Sequence, residues 1–479
     1  MTGVSKRWLY LLPIVALALA VRTYDLARNG LWYDELQSVT HAVLPISDLI
    51  RSVAAHDPHP PLYYIQLHAW LQLGHSDVWV RLNSVFLSLL TLISIYITTR
   101  RVFSEPAAVL ASLFFAISPY AVYHGQEARM YTWLMFLAVW CWYFNHEFLL
   151  RRPGPLPALG VVATSIAALY SHGTGFILLS AIYAYAALSL VRSKIDRLTL
   201  LRWTVLQAAI VLALLPWLFH AYTIRSFPGH MAVPTLVTIP ETLWMLLFGD
   251  TTAPAEWIQV TCVLLVFAVI VLGFARGERS RSFAPSVVLG PMLAVAAISY
   301  LISPIWYHRT LAFITPFLCI ALALGLTPTD PDGRPYPAPL RRLAPLLGAA
   351  VLGGYLVALL VQQTTYTREP VPKTAALYVK AQMTPGEIVY VPKQRFFWAV
   401  SWYLGGPNCA SPVDPSRAIC LVDGVKVMTH PDIGRFLTPG QYYWFVHRPN
   451  EGFTHSAEFR RLELRNFGMT RVEHVRLVP

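Results

Sequence analysis

Long apolar segments recur along the first three quarters of the chain, separated by short polar loops. Most approach the ~20 residues that an α-helix needs to cross the hydrocarbon core of a bilayer. The pattern therefore predicts a mainly α-helical, polytopic membrane protein with about eleven transmembrane helices. The segments lie near residues 8–24, 80–99, 107–123, 131–150, 156–171, 173–191, 203–222, 256–275, 285–303, 308–326 and 343–363.

The first apolar segment allows two interpretations. Lys6 and Arg7 precede an apolar run that ends in small residues, as in a secretory signal peptide. The flanking aromatic residues can also lengthen this run until it crosses a bilayer, which favours an uncleaved first span.

Composition and charge agree with a membrane protein. Of the 479 residues, 56% are hydrophobic and 13% are charged, whereas soluble domains carry about 25% charged residues. The net charge of +12 reflects basic loops on one side of the membrane, not a nucleic-acid partner. This alternation places the N-terminus in the cytoplasm and the C-terminal region outside. The basic positions are Lys6/Arg7, Arg100/Arg101, Arg151/Arg152, Arg192/Lys194/Arg197/Arg202, Arg276/Arg279/Arg281 and Arg334/Arg341/Arg342.

The sequence divides into two predicted domains. Residues 1–364 hold the apolar segments and a long first outer loop at about 25–78, in which Ile46, Leu49, Ile50 and Val53 form the stripe of a short interfacial helix. Residues 365–479 contain short β-branched and aromatic runs bounded by turn residues, typical of a small α+β domain. The segment 456–478 reads as a helix followed by a final strand.

The five cysteines show no metal-type spacing. Cys409 and Cys420 lie in the polar C-terminal region. The sequence leaves two alternatives for this pair, a disulfide or two free thiols.

Two adjacent carboxylates, Asp34 and Glu35, follow the first apolar segment in "LWYDELQS". A carboxylate can act as a general base that takes a proton from an acceptor, and its neighbour can hold the base in place. Simple solvation of a loop is the alternative.

Three further motifs fall on the same predicted outer face. In "HPPLYY" the prolines predict the start of a helix, and His59 is predicted to face an anion there. The alternative is that His59 lies incidentally at a helix N-cap. "HGQEARMY" carries Glu127, Arg129 and Tyr131, which also suit a structural ion pair. "WYHRT" carries His308 and Arg309. A positive charge on the outer face of the membrane favours binding of a phosphate, and contact with lipid headgroups is the alternative.

Taken together, "LWYDELQS", "HDPHPPLYY", "HGQEARMY" and "WYHRTLAFITP" resemble the GT-C glycosyltransferases of the protein O-mannosyltransferase-like and aminoarabinose-transferase-like group, including the rhizobial galacturonic-acid transferases. The resemblance covers roughly residues 5–325. It implies a polyprenyl-phosphate-linked monosaccharide donor, inversion at the anomeric carbon, and an envelope lipid, glycan or protein as acceptor.

The resemblance also implies roles for individual residues. Asp34 matches the proposed base and Glu35 its companion. His59, Arg129 and Arg309 become candidates for the donor phosphate. The supporting residues are Glu127, Tyr131, His308 and Tyr64, although Tyr63-Tyr64 replace the Gly-Lys of the mannosyltransferases. No metal or cofactor is expected, and the enzyme is expected in the inner or plasma membrane with the C-terminal domain outside.

Two other functions remain open at this stage. A transporter or flippase would show repeated halves and charges in the middle of its spans. A non-catalytic assembly or sensor protein would need only its C-terminal domain. Neither explains why the unusual motifs gather on one predicted face.

Overall fold

The computed structural model describes residues 5–192, 195–223, 231, 233–249, 256–274, 282–283, 285–327, 338–365, 372–409, 419–429, 437–438, 440–448 and 459–478. Several basic positions used to predict the topology lie outside these residues, namely Lys194, Arg276, Arg279, Arg281 and Arg334. The chain forms two compact units. The first comprises Met1–Tyr24, Pro58–Tyr63 and Leu82–Tyr366, and the second comprises Asp25–Asp57, Tyr64–Arg81 and Thr367–Pro479.

Helices make up most of the described part of the first unit, and they follow the predicted apolar segments. Their buried faces form one large core rich in Leu, Ile, Val, Phe and Ala. The helices are Ser5–Thr23, Asp77–Val102, Glu105–Ile117, Pro119–Gly125, Tyr131–Leu150, Pro155–Leu169, Gly175–Arg192, Arg197–Thr223, Thr238–Phe248, Glu256–Phe274, Pro285–Leu289, Gly290–Leu301, His308–Ile314, Thr315–Leu326 and Ala338–Thr365.

Within the described residues, five helical segments are long and apolar enough to cross a bilayer, or six if the bent pair Glu105–Ile117 and Pro119–Gly125 is one span. Shorter apolar helices account for further predicted segments. The chain is thus a mainly helical, multi-pass protein, and the number of eleven spans stays a prediction. The five long apolar segments are Asp77–Val102, Gly175–Arg192, Arg197–Phe219, His308–Leu326 and Arg342–Thr365.

The bend of 62° between Glu105–Ile117 and Pro119–Gly125 has a local cause. Proline cannot donate a backbone hydrogen bond, so Pro119 starts a new helix. The buried guanidinium of Arg22 donates to the carbonyls of Ala116 at 2.8 Å and Phe115 at 3.0 Å. Helix ends leave such carbonyls without a partner in the helix, and Arg22 supplies one.

The second unit combines most of the first outer loop with the C-terminal region. The sequence analysis placed one domain boundary at 364/365 and assigned the loop to the membrane domain, and that division stays a prediction. The first outer loop contains the helices Tyr33–Ala42, Ile46–His56 and Leu62–Leu71, the last of which begins in the first unit. In Ile46–His56, Leu49 and Val53 are fully buried, whereas Ile46 and Ile50 are 49% and 41% exposed.

The C-terminal region forms a mixed six-stranded sheet from its described residues. The strands are β1 (Ile388–Tyr390), β2 (Ile419–Val422), β3 (Val425–Met428), β4 (Tyr442–His447), β5 (Phe459–Phe467) and β6 (Thr470–Leu477). Their spatial order is β2-β3-β1-β4-β6-β5, with β1 parallel to β3 and β4 and the other pairs antiparallel. Helices Lys373–Gln382 and Gln394–Gly405 share a hydrophobic core with the sheet.

One element of this region was predicted wrongly. The segment from Phe459 to Phe467 is the edge strand β5, not a helix, and it forms a hairpin with β6. Its Arg, Leu and Glu residues favour helix intrinsically, but pairing with a neighbouring strand overrides that preference. Gly468, at φ +59°, allows the tight turn between the two strands.

Candidate active site

The acidic pair lies in the first turn of helix Tyr33–Ala42, in the second unit. Glu35 accepts a hydrogen bond from the backbone N–H of Trp32 at 3.1 Å and so caps the helix. Asp34 remains partly exposed, whereas Glu35 is fully buried. Asp34 and Glu35 are adjacent in sequence but therefore lie in different environments.

Arg81 accounts for the burial of Glu35. Its Nε and Nη2 atoms donate to the Glu35 carboxylate at 2.9 and 2.7 Å. The same guanidinium donates to the carbonyls of Leu26, Asn29 and Gly30. A buried charge needs such pairing, and here one arginine fixes both the glutamate and the loop before the helix. Glu35 thus holds the segment that carries Asp34.

The predicted supporting residue Tyr64 lies in the second unit and contacts Asp57. Its hydroxyl donates to Asp57 Oδ2 at 2.8 Å, and the amide of Gln37 donates to the same oxygen at 2.9 Å. His41 Nδ1 lies 3.0 Å from Ser52 Oγ. These contacts join the three helices of the first loop, so Tyr64 stabilises the loop that presents Asp34.

A C-terminal helix also braces the segment around Asp34. The ring of Tyr33 stacks on Trp398 of helix Gln394–Gly405, with centroids 5.3 Å apart and planes 14° from parallel. The backbone N–H of Leu31 donates to the hydroxyl of Tyr403 at 2.7 Å. Residues far apart in sequence therefore fix both sides of Asp34.

In the first unit, six aromatic rings form a continuous chain that joins three of the sequence motifs. Neighbouring centroids lie 4.2 to 5.8 Å apart. The chain brings three predicted site residues together with three that were not predicted. In order, its members are His59, His172, Tyr131, His124, Tyr120 and His308. We call these six residues the ring chain.

The predicted charged residues of this unit lie along the ring chain. Glu127 Oε2 is 2.9 Å from His124 Nδ1, and both side chains are fully buried. The nearly buried Arg129 donates its backbone N–H to the Glu127 carbonyl at 2.8 Å. Arg309 stands over the ring of Tyr307, with its Cζ atom 5.8 Å from the centroid. Arg309 is also within electrostatic range of Glu127 and Tyr131.

His59 is neutral in this setting. Burial of its ring, and then the positive charge of Arg129, lower the pKa of His59 to about 3. The ring stacks on His172 at 4.2 Å. His59 therefore offers a hydrogen bond or a flat ring to a neighbouring anion, not a full positive charge.

Several residues of these clusters escaped the sequence analysis. Arg81 looked like a basic residue at the start of a span, and no pattern linked it to Glu35, 46 positions earlier. Trp398 lay in a region without a family motif. His124 stood inside a quoted motif but was not singled out, and His172 lay outside the motifs named above. Among the described residues, no group of three His, Cys, Asp or Glu side chains is placed to hold a metal.

Comparisons with known proteins find one family model and several solved structures that are similar to this chain. A family model described as dolichyl-phosphate-mannose-protein mannosyltransferase matches residues 58–220, which include His59, Tyr131 and His172. ArnT from Cupriavidus metallidurans in the apo state has a TM-score of 0.66 to this chain at 14% identity, and 97% of each chain is covered. The chain therefore shares the fold of ArnT, and the family model matches about a third of its length.

Two other solved structures share this GT-C fold. ArnT bound to undecaprenyl phosphate has a TM-score of 0.64 at 14% identity, over 97% of this chain and 98% of that one. The oligosaccharyltransferase AglB from Archaeoglobus fulgidus, in complex with an inhibitory peptide and a dolichol-phosphate, has a TM-score of 0.54 at 12% identity, over 93% and 70%. At these identities the likeness is one of fold. No curated protein sequence matches this chain.

Proposed function

We propose that this protein is a GT-C glycosyltransferase that transfers a monosaccharide, hexosyl or pentosyl, from a polyprenyl-phosphate donor to a cell-envelope lipid, glycan or protein. The transfer inverts the anomeric carbon and takes place on the extracytoplasmic face of the inner or plasma membrane. The C-terminal region lies on that same face. The alternating basic loops of the sequence support this orientation.

The relatives support a donor carried by a lipid phosphate. One solved ArnT holds undecaprenyl phosphate, and the solved AglB holds a dolichol-phosphate. The matching family model describes mannosyltransferases that use dolichyl-phosphate-mannose. A lipid-linked donor also suits a multi-pass protein, because the lipid tail can run beside apolar helices.

One observation carries the proposal: Arg129 and Arg309 both lie along the ring chain of the first unit. Arginine offers a planar fork of N–H groups that matches the oxygens of a phosphate. In the proposed reaction the glycosidic bond breaks, and its electron pair stays on the leaving phosphate. The negative charge on the phosphate therefore increases as it leaves. Fixed positive groups stabilise that charge most strongly in the transition state. His59, as a neutral ring, and His308 then line the donor phosphate, with Glu127 and Tyr131 in support.

Asp34 is the proposed general base. A base must exchange a proton with the acceptor, which requires a carboxylate that a substrate can reach. Asp34 is partly exposed, whereas Arg81 and the Trp32 amide already engage both carboxylate oxygens of Glu35. As the acceptor oxygen or nitrogen bonds to the anomeric carbon, its proton passes to Asp34 and the polyprenyl phosphate leaves.

The proposed chemistry requires no metal or other cofactor. The leaving phosphate is already ionised, so it needs positive groups rather than a Lewis acid to depart. We expect a chelator to leave the rate of transfer unchanged.

Purified protein in lipid nanodiscs, supplied with a polyprenyl-phosphate sugar, tests the function directly. Wild-type protein should release free polyprenyl phosphate, and Arg309→Ala should lower the rate by about 10²–10³-fold, as loss of an oxyanion donor does. Arg309→Lys should recover part of it. The exposed Arg152→Ala is the matched control. A transporter would move the donor intact and release no polyprenyl phosphate.

A further inference from the structure

The second unit contains a cleft of about 400 Å³, lined by both apolar and polar groups, to which none of the assignments above gives a ligand. Its walls come from the loop before helix Tyr33–Ala42, the start of helix Asp77–Val102, and the C-terminal region. The residues that matter for its chemistry are Ala27, His75, Asp77, Lys373, Trp402 and Tyr403. Small-molecule sites typically measure about 300–1,000 Å³, so the cleft can hold one or two sugar rings.

An ion pair stands in the wall of the cleft. Lys373 Nζ lies 2.7 Å from Asp77 Oδ2 and 5.3 Å from the centroid of the Tyr403 ring. The hydroxyl of Tyr403 donates to the same Asp77 oxygen at 3.2 Å. Burial, and then the negative charge of Asp77, raise the pKa of the Tyr403 phenol, so that it stays protonated and able to donate.

The lining selects a neutral ligand that is polar on some faces and apolar on others. Asp77 compensates the charge of Lys373, so the ion pair leaves no unmatched cation for a phosphate. Hydrocarbon would cover polar groups without replacing their hydrogen bonds to water. The indole of Trp402 offers an apolar surface beside these groups, and its residue is 9% exposed. A saccharide combines hydroxyl groups with C–H faces and matches both features.

The cleft connects to the segment that carries Asp34. Tyr403, which donates to Asp77, accepts the backbone N–H of Leu31 at 2.7 Å. A side chain at Gly30 would place its Cβ 2.7 Å from the Tyr403 hydroxyl and 3.1 Å from Lys373, so only glycine allows this approach. Asp34 lies three positions after Leu31. A ligand in the cleft therefore lies against groups that hold the backbone next to the proposed base.

We propose that this cleft binds the saccharide part of the acceptor. The inference rests on the proposed function, because an acceptor site presupposes a transferase, and it narrows the acceptor to a molecule that contains sugar. Trp402 packs against a sugar ring, and Lys373 and Asp77 bind its hydroxyl groups. Tyr403 positions the acceptor site relative to the Asp34 segment and is a positioning residue.

Binding to the full-length protein in nanodiscs tests the inference without a known acceptor. The probes are maltose, chitobiose and inorganic phosphate, measured by saturation-transfer difference NMR. Wild-type protein should bind at least one of the two disaccharides. Trp402→Ala should weaken that binding by about tenfold or more, as loss of a central aromatic contact does. Inorganic phosphate should not compete with the disaccharide.

A second variant guards against loss of folding. Ala27→Trp adds bulk to an exposed cleft position without removing a contact, and it should abolish disaccharide binding. Lys380→Ala and Tyr442→Ala change an exposed lysine and an exposed tyrosine of the same unit outside the cleft and should bind like wild type. Absence of disaccharide binding to wild type, persistence of binding in Ala27→Trp, or competition by phosphate would each overturn the inference.

The same samples separate this inference from the proposed function. Release of polyprenyl phosphate from the donor is measured in parallel. If wild type releases none but binds a disaccharide in the cleft, the transferase proposal fails while the saccharide site stands. If wild type releases polyprenyl phosphate but no disaccharide binds, the cleft inference fails and the transferase proposal remains.

Discussion

The guanidinium of Arg81 holds the carboxylate of Glu35 with two hydrogen bonds, Nε to Oε1 at 2.9 Å and Nη2 to Oε2 at 2.7 Å. Both side chains are almost completely buried, at 3% and 0% exposure. The pairing gives two adjacent acids different tasks. Glu35 fixes the start of its helix, and Asp34 beside it is partly exposed.

Removal of Arg81 should destabilise the protein strongly. Arg81→Ala leaves the Glu35 carboxylate buried without its partner, which typically costs about 3–5 kcal/mol. Thermal or chemical unfolding of the purified protein measures the loss. Arg51→Ala, which breaks the exposed pair with Asp48, is the control and should cost about 0–1 kcal/mol. Equal stability of Arg81→Ala and wild type would contradict the assigned role of Arg81.

Trp398→Ala should slow transfer although Trp398 lies more than 350 residues after Tyr33 in the chain. The stack on Tyr33 orients the turn that carries Asp34, and small misplacements of a reacting group can cost about 10²-fold in rate. Trp398→Phe keeps a ring and should restore most of the rate. We expect kcat to fall while the KM for the donor stays near wild type.

Tyr442→Ala, an aromatic substitution elsewhere in the same unit, is the control for Trp398. A wild-type kcat in Trp398→Ala would show that the stack does not position the base.

The sequence was sufficient for the class of fold, and it pointed to motif residues of the candidate site whose roles stay predictions. Apolar segments of bilayer length predict helices because such segments must satisfy their own backbone hydrogen bonds. In the ring chain three of the motifs lie side by side, since His59, Tyr131 and His308 belong to three of them, and their roles stay predictions. Cys409 and Cys420, for which two states were open, are joined by a disulfide in the structure.

Other features depend on tertiary contacts that no local pattern encodes. The pairing of Glu35 with Arg81 joins residues 46 positions apart, and the contact between Leu31 and Tyr403 joins residues 372 apart. Strand β5 was mistaken for a helix because its residues favour helix until β6 pairs with them. The cleft beside Trp402 likewise exists only after the loop and the C-terminal helix have met.

The pH dependence of stability should reveal the neutral state of His59. Its pKa is about 3 in the folded protein, below the ordinary value of 6.5, so the unfolded chain takes up the proton first as the pH falls. The stabilisation from His59 is therefore complete above pH 6.5 and is lost progressively as the pH falls towards about 3. Thermal midpoints measured across this range should fall less steeply in His59→Gln than in wild type.

His75→Gln, at an exposed histidine, is the control for this experiment. If His59→Gln and wild type lose stability with the same slope, then His59 is not held neutral by burial and Arg129.

The transfer rate of Asp34→Asn tests the central claim most directly. Asparagine keeps the shape of the side chain but cannot accept the acceptor proton, and loss of a general base costs about 10²–10⁴-fold in rate. We predict this loss for purified Asp34→Asn, with unchanged expression and unchanged binding of the polyprenyl-phosphate donor. Asp48→Asn, at an exposed aspartate of the same unit, should transfer at the wild-type rate. A rate near wild type in Asp34→Asn would contradict the account.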